Sequence, residues 1–307
     1  MIPPRMQLLL ILTMAGWGLN ISILKTLTQH YDILQLSANR MSIGAIFVVL
    51  AMFSSRQPMP FRQVTPRQWV LFAICGAMMV YLNQILFITG MNYTSATNGA
   101  LIMAIGPLLA SLMAAAVFRE ALTRQRLIGV ALGFGGVFAV VVGGSGGNAA
   151  LAGWGDLIIF AAVSTFIGGG MFIQSLTRHF NTLFVTSIIY VIGATMLLVH
   201  VTLLDPGVWT FARLAPGFWP TVLMVVSGLV FTAICNLFWN RAISEYGAAR
   251  ISVYQYWVPL FGVGFATALL GEPFSVWHWV GMAGIMLGTW LGAKAPSRRP
   301  GKPGASA

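Results

Sequence analysis

Residues 184–204 read FVTSIIYVIGATMLLVHVTLL, an uninterrupted run from Phe184 to Leu204 without a single Asp, Glu, Lys or Arg. A helix rises 1.5 Å per residue, so about 20 apolar residues cross the roughly 30 Å of bilayer hydrocarbon. This run is long enough to do so. Working outward from it, similar runs between charged or Gly/Pro-rich breaks fall near 7–27, 34–54, 68–90, 95–118, 125–143, 155–175, 218–240, 249–270 and 276–294. The sequence therefore predicts ten spans. Its 307 residues are 58% hydrophobic and 7% charged, with a mean hydropathy of +0.83, against about 25% charged residues in a soluble domain. A water-soluble fold is excluded, and the links between runs leave no room for a large soluble domain.

The first run follows Arg5 but contains Trp17 and Asn20 and leads into further spans, so it reads as a retained helix and not as a signal peptide. Period-two alternation with turns every ten residues is absent, which argues against an outer-membrane barrel and for an inner-membrane helical bundle. Cys75 and Cys235 fall inside predicted spans, so no disulfide framework is implied.

The net charge of +11 would suggest nucleic acid in a soluble protein; here it is a question of sidedness. With the N-terminus inside, the cytoplasmic segments collect Arg5, Arg56, Arg62, Arg67, Arg119, Arg124, Arg126, Arg178, Arg241, Arg250, Lys294, Arg298, Arg299 and Lys302, which is 14 of the 17 Lys and Arg residues. Only Lys25, Arg40 and Arg213 fall outside that set. Both termini are expected in the cytoplasm. No nucleic-acid partner is expected; the lipid bilayer is the partner of the apolar surface. Residues 295–307 read as a basic disordered tail beside anionic lipid.

An offset of 152 residues, without gaps, matches Ala96 with Ala248, Pro107 with Pro259, Leu108 with Leu260, Glu120 with Glu272, Gly129 with Gly281 and Gly136 with Gly288. Two five-helix repeats are expected, residues 1–148 and 149–294. Five is odd, so the second repeat enters the membrane from the opposite side, an arrangement used by alternating-access carriers. Glu120 precedes the fifth span and Glu272 the tenth, each offering an acceptor to a helix N-terminus, so both read as structural caps. Pro107 and Pro259 interrupt long spans and free backbone carbonyls, giving either a gating hinge or a static kink.

The order Asn92-Tyr93-Thr94-Ser95-Ala96, Pro107-Leu108, Arg119-Glu120-Ala121-Leu122 and a Gly-rich span resembles the first half of the EamA family of the drug/metabolite transporter superfamily. Tyr246-Gly247-Ala248-Ala249, Pro259-Leu260 and Gly271-Glu272-Pro273-Phe274 resemble its second half, and Gly16-Trp17-Gly18-Leu19-Asn20 its opening helix. The sequence departs from the family pattern at Arg119, where glycine is usual, and at Thr165, where tryptophan is common. The resemblance implies a ten-helix basket, N-in and C-in, with a central cavity between the repeats and export of amino acids or other metabolites.

Polar side chains at mid-membrane depth are costly unless paired, hydrated or used by a ligand. Trp17 and Asn20 in the first span, Tyr81, Asn83 and Gln84 in the third, Asn98 in the fourth, Asn236 and Trp239 in the eighth, and Tyr254, Gln255 and Trp257 in the ninth can line one substrate cavity. Amides would orient a zwitterionic head and aromatic rings would bury an apolar side chain, which fits an aromatic or bulky neutral amino acid. The structural alternative is that the amides knit helices together and the tryptophans sit in the interfacial belt, as expected for Trp69, Trp277 and Trp279. Arg40 lies about 9 Å into the second span. Three roles are open to it: partner of a substrate carboxylate, gate with Asp32, or snorkelling anchor.

Asp156, Asp205 and Glu245 fall at span ends or in loops, so no central carboxylate is expected and facilitated diffusion is the default mechanism. His200 is the one span residue suited to shuttling a proton, and it lies near the outer end of the seventh span. Gly143-Gly144-Ser145-Gly146-Gly147 matches the serine motif of intramembrane proteases, but it sits in a linker with no preceding strand or level histidine, so an enzyme is not expected. No metal cluster, P-loop or cofactor motif occurs. A non-transporting scaffold is the other alternative, and the short loops offer it little surface. Gly284, Gly288 and Gly292, with Gly129 and Gly133, suit close helix packing within one chain or between chains; the chain is expected as a monomer, with a dimer as the alternative.

Overall fold

A computed structural model describes residues 3–55, 57, 59–106, 108–109, 112–113, 124–144, 149–177, 179–246, 254–255 and 257–294. Pro107, Glu120, residues 145–148 and the tail 295–307 lie outside these. Among the described residues the chain is all helical, without strands.

The first helices are α1 (Pro4–Leu27), α2 (Ile33–Ser54), α3 (Pro66–Tyr93), α4 (Ala96–Met103) and α5 (Arg124–Gly144). They are followed by α6 (Ala149–Leu176), α7 (Thr182–Leu204), α8 (Phe218–Val226, continuing through Ser227–Ile234 into Cys235–Tyr246), α9 (Trp257–Leu270) and α10 (Val276–Lys294). Six are long and apolar enough to cross a membrane: α1, α2, α3, Gly153–Ile173 of α6, α7 and Phe218–Trp239 of α8. Shorter apolar stretches, Leu127–Gly136, Trp257–Leu270 and Val276–Gly288, lie in α5, α9 and α10.

Helix starts follow their local chemistry. At α3, Thr65 accepts from Gln68 N–H (3.3 Å) while the Gln68 side chain accepts from Thr65 N–H (2.9 Å), a reciprocal cap ahead of Pro66. Pro259 is buried, the third residue of the described part of α9. Gly271 ends α9 at φ 64°, a left-handed conformation that glycine adopts without strain, and the Glu272 N–H returns to the Ala266 carbonyl at 3.4 Å.

Packing relates three pairs of helices five places apart. The helices α2 and α7, α4 and α9, and α5 and α10 pack on one another. Other contacts come in corresponding sets: α1 on α9 with α6 on α4, α3 on α6 with α8 on α1, and α3 on α7 with α8 on α2. Both α3 and α8 contain a π-helical segment, Gly76–Leu82 and Ser227–Ile234. Gly76 abuts Ile192 and the Ile189 carbonyl of α7, while Gly193 abuts Val80 and the Gly76 carbonyl. Gly228 abuts Ile43 and the Arg40 carbonyl of α2, while Gly44 abuts Thr232 and the Gly228 carbonyl. The two crossings are built alike.

At α5 and α10 the glycine stripe is used within the chain. A Cβ at Gly288 would lie 2.5 Å from the Gly129 carbonyl oxygen, and one at Gly136 would lie 2.6 Å from that of Gly281. Such backbone approach is what small-residue spacing permits in a bilayer.

Candidate functional site

Two groups of polar side chains are buried in the bundle. The first lies where α2 crosses α8 and α3. Arg40 is 4% exposed. It donates through Nη1 to Thr232 Oγ1 at 3.3 Å and through Nη2 to the Gln84 side-chain oxygen, while its Nε has no partner. Gln84 in turn donates to Asn83 Oδ1 (3.0 Å), and Asn83 donates to the Ala162 carbonyl of α6 (2.8 Å). Tyr190 of α7 donates from its hydroxyl to the Thr232 carbonyl at 3.1 Å, so Arg40 and Tyr190 converge on one residue. Asp32 makes no ion pair with Arg40; it lines a separate cavity of about 310 Å³ at the end of α2 with His30, Gln35 and Arg213. Arg213 pairs instead with Asp205.

Beside this group lies an aromatic wall. The π geometry of α8 shifts its backbone hydrogen bonding, and the Phe231 carbonyl accepts the Trp17 indole N–H at 3.1 Å. The rings of Trp17 and Trp239 are 5.4 Å apart; Tyr254 packs against the larger hydrophobic core to which Trp239 belongs. Asn20 accepts from Ser227 Oγ at 2.6 Å, joining α1 to α8, and Asn236 donates to the Thr232 carbonyl of its own helix at 2.7 Å.

The remaining sequence candidates are elsewhere. Tyr81 faces α7, where its hydroxyl meets His200 Nδ1 at 2.8 Å. Gln255 is half-buried in a short 3-10 turn. Trp257 is 41% exposed and stacks on Phe261. Asn98 belongs to the second group.

That second group closes the end of the bundle where α1 and α3 finish. Asp156 is 2% exposed. It accepts from Thr94 Oγ1 and, at 3.4 and 3.3 Å, from Asn98 Nδ2. Asp156 lies three residues into the apolar stretch Gly153–Ile173 of α6, near the span end where the sequence places it. Ser275 N–H donates to His278 Nδ1 (2.9 Å), which leaves the ring proton on Nε2, directed at Asn98 Oδ1 (3.3 Å). Lys25 donates to the Met91 and Thr94 carbonyls at 2.6 and 2.5 Å, capping the C-terminus of α3.

Glu272 is a cap, but of a different helix from the one expected. Its two carboxylate oxygens accept the N–H groups of Ala96 and Thr97, each at 2.8 Å, at the start of α4 and not of α10. Ser95 accepts from Asn98 N–H (3.0 Å), so three successive N–H groups of that terminus are satisfied.

Sequence reasoning missed Tyr190, Thr232, Ser227 and His278. Tyr190 carried a readable signal, a phenol well inside the 184–204 run; a span serine or threonine carries none, because its hydroxyl can bond to its own helix.

The model of the EamA-like transporter family matches the chain twice, over residues 4–142 and 153–292. The chain is similar to the uncharacterized transporter YyaM of Bacillus subtilis, 29% identical over 71% of each chain. It is similar also to a probable terminal-alkyne amino-acid exporter of Streptantibioticus cattleyicolor, 26% identical over 95% of this chain and 97% of that one. An S-adenosylmethionine/S-adenosylhomocysteine transporter of Chlamydia trachomatis is 22% identical over 84% of this chain and 80% of that one. A crystal structure of a protein with 16% identity superposes at a TM-score of 0.64, covering 92% of this chain and 94% of the other, which shows a shared fold.

Proposed function

The chain belongs to the EamA-like transporter family, and from that premise we propose that it exports small metabolites, foremost amino acids with aromatic or other bulky neutral side chains, across a bacterial inner membrane. Transport runs by alternating access between two inverted five-helix units, residues 1–148 and 149–294, ten spans in all, with both termini in the cytoplasm. The corresponding contacts of α3 on α7 and α8 on α2 support the two-unit reading. The one-sided distribution of arginine and lysine supports the orientation, which puts the Lys25, Asp156 and Glu272 end outside.

The observation that carries the cargo reading is the convergence, at the crossings of the two π segments, of an aromatic wall with a buried set of amides and hydroxyls. Trp17 and Trp239 offer flat apolar surface; Gln84, Asn83, Thr232 and Tyr190 offer oriented polar atoms. They come from helices of both units, α1, α3, α7 and α8, as a site must if rocking the units exposes it alternately to either side. Two relatives carry amino acids or a compound built on one, by their names.

The sequence case for uncoupled diffusion rests on spans without a carboxylate. Asp156 is buried, but it lies three residues into the apolar stretch Gly153–Ile173 and not at its centre, consistent with that case. The matched family and relatives are transporters, which supports a carrier over an enzyme. Ligand-induced thermal stabilisation of the purified protein, scanned across amino acids, nucleosides and amphipathic amines, tests the cargo class. Stabilisation by tryptophan, phenylalanine or leucine and not by the amines is expected; the reverse pattern sinks it in favour of a drug-like cargo.

A further inference from the structure

We propose that Arg40 is the docking point for a carboxylate of the cargo, so that the transported molecules are carboxylates as a class. This rests on the transporter reading and sharpens it. Five guanidinium N–H groups and a full positive charge sit at 4% exposure inside an apolar bundle. An ion so buried needs a counter-charge or a ligand. Among the described residues no carboxylate forms an ion pair with Arg40: the salt bridge there is Arg213 with Asp205, Asp32 lines a separate cavity, and Asp156 and Glu272 are engaged at the outer end.

Its actual partners are neutral. Gln84 and Thr232 take one donor each, and Nε, with no partner, is an orphaned polar atom fully inside the protein. Neutral acceptors hold the guanidinium in place without cancelling its charge. A carboxylate can accept from the edge that carries Nε and one Nη together, the two-pronged geometry for which arginine is suited and lysine is not. Tyr190, beside Arg40 on the same threonine, adds a hydroxyl.

The position suits a carrier. Gly228 abuts the Arg40 backbone carbonyl, so the α2 segment bearing Arg40 lies directly on the π segment of α8, while its side chain reaches Gln84 of α3. A ligand on Arg40 would therefore be felt at an interface between the two proposed units. Asn20 and Trp17, on α1 packed against the same π segment, and Trp239, farther along α8 itself, are placed to receive the rest of an amino acid.

The test uses pairs of labelled probes that differ only at the head group: L-tryptophan with L-tryptophanamide, L-phenylalanine with L-phenylalaninamide, and L-leucine with L-leucinamide. Efflux from proteoliposomes is measured for the full chain, Arg40→Gln and Arg40→Lys. Wild type should favour the acid over its amide, and Arg40→Gln should lose that preference by at least about thirtyfold, the scale for truncating one partner of a buried ion pair. Retained amide efflux in the variant reports that it is folded. Arg40→Lys should recover only part of the acid transport, since it keeps the charge but not the fork.

Equal wild-type movement of acid and amide would overturn the proposal and leave an exporter indifferent to the carboxylate. Movement of no probe would sink the amino-acid reading as well. Thermal stability that follows chloride and ignores every carboxylate would assign the charge to a resident inorganic anion and also overturn it.

Discussion

The carboxylate of Glu272 accepts the backbone N–H of Ala96 at 2.8 Å, 176 residues away along the chain. With the second bond, to Thr97, it ties the turn between α9 and α10 to the start of α4. Hydrogen bonds to a charged group contribute about 1.5–3 kcal/mol each, and a negative charge at a helix N-terminus adds to this. Glu272→Gln should lower the Tm of the detergent-purified protein measurably and Glu272→Ala should lower it further. An unchanged Tm in both would mean that the cap does not hold this end together.

Asp156 presents the matching case for α6. Replacing it with Ala leaves the Thr94 hydroxyl and the Asn98 amide without their buried acceptor, at a cost of about 1–3 kcal/mol for each group left unsatisfied. Asp156→Ala should therefore destabilise more than Asp205→Ala, since Asp205 sits in a half-exposed ion pair, a class that contributes little. Parallel melting curves of the two variants decide it.

The related crossings give a prediction about symmetry. A Cβ at Gly76 would lie 2.8 Å from Ile192 Cγ2, and one at Gly228 would lie 2.8 Å from the Arg40 carbonyl oxygen. Overpacking of this kind costs about 1–3 kcal/mol, so Gly76→Ala and Gly228→Ala should both reduce folded yield on fluorescence size exclusion. Gly135→Ala, where a Cβ meets nothing within 4 Å, should not. Gly228→Ala should also impair transport more, because the atom it displaces belongs to Arg40.

Trp17→Phe separates wall from bond. It keeps an aromatic ring beside Trp239 but loses the indole donor to the Phe231 carbonyl, about 1 kcal/mol. A small fall in Tm with weakened tryptophan binding is expected; Trp17→Ala should abolish that binding. Full binding by Trp17→Ala would remove the aromatic wall from the site.

Much of the fold was legible because hydropathy reads span length directly. The runs at 34–54 and 184–204 end within two residues of α2 and α7. What sequence order could not give was which helix faces which. Glu272 precedes α10 and so reads as its cap, yet the path of α9 brings the turn at Gly271 to α4. Asp156 lies near a span end, as hydropathy places it, but its burial and its partners Thr94 and Asn98 depend on which helices meet there. Of the cavity candidates, Trp17, Trp239 and Gln84 come together around α8 and Arg40. Tyr81 and Asn98 do not, because helical phase turns Tyr81 toward His200 and depth puts Asn98 beside Asp156.

The most direct measurement of the central claim is saturable efflux of labelled L-tryptophan from proteoliposomes holding the full chain, with and without an imposed pH gradient. The account predicts saturable efflux that collapses in Arg40→Gln and Trp17→Ala; a response to the gradient would add Asp156 to the transport cycle. Absence of saturable efflux for tryptophan and every other amino acid, from protein shown to be folded, would contradict it.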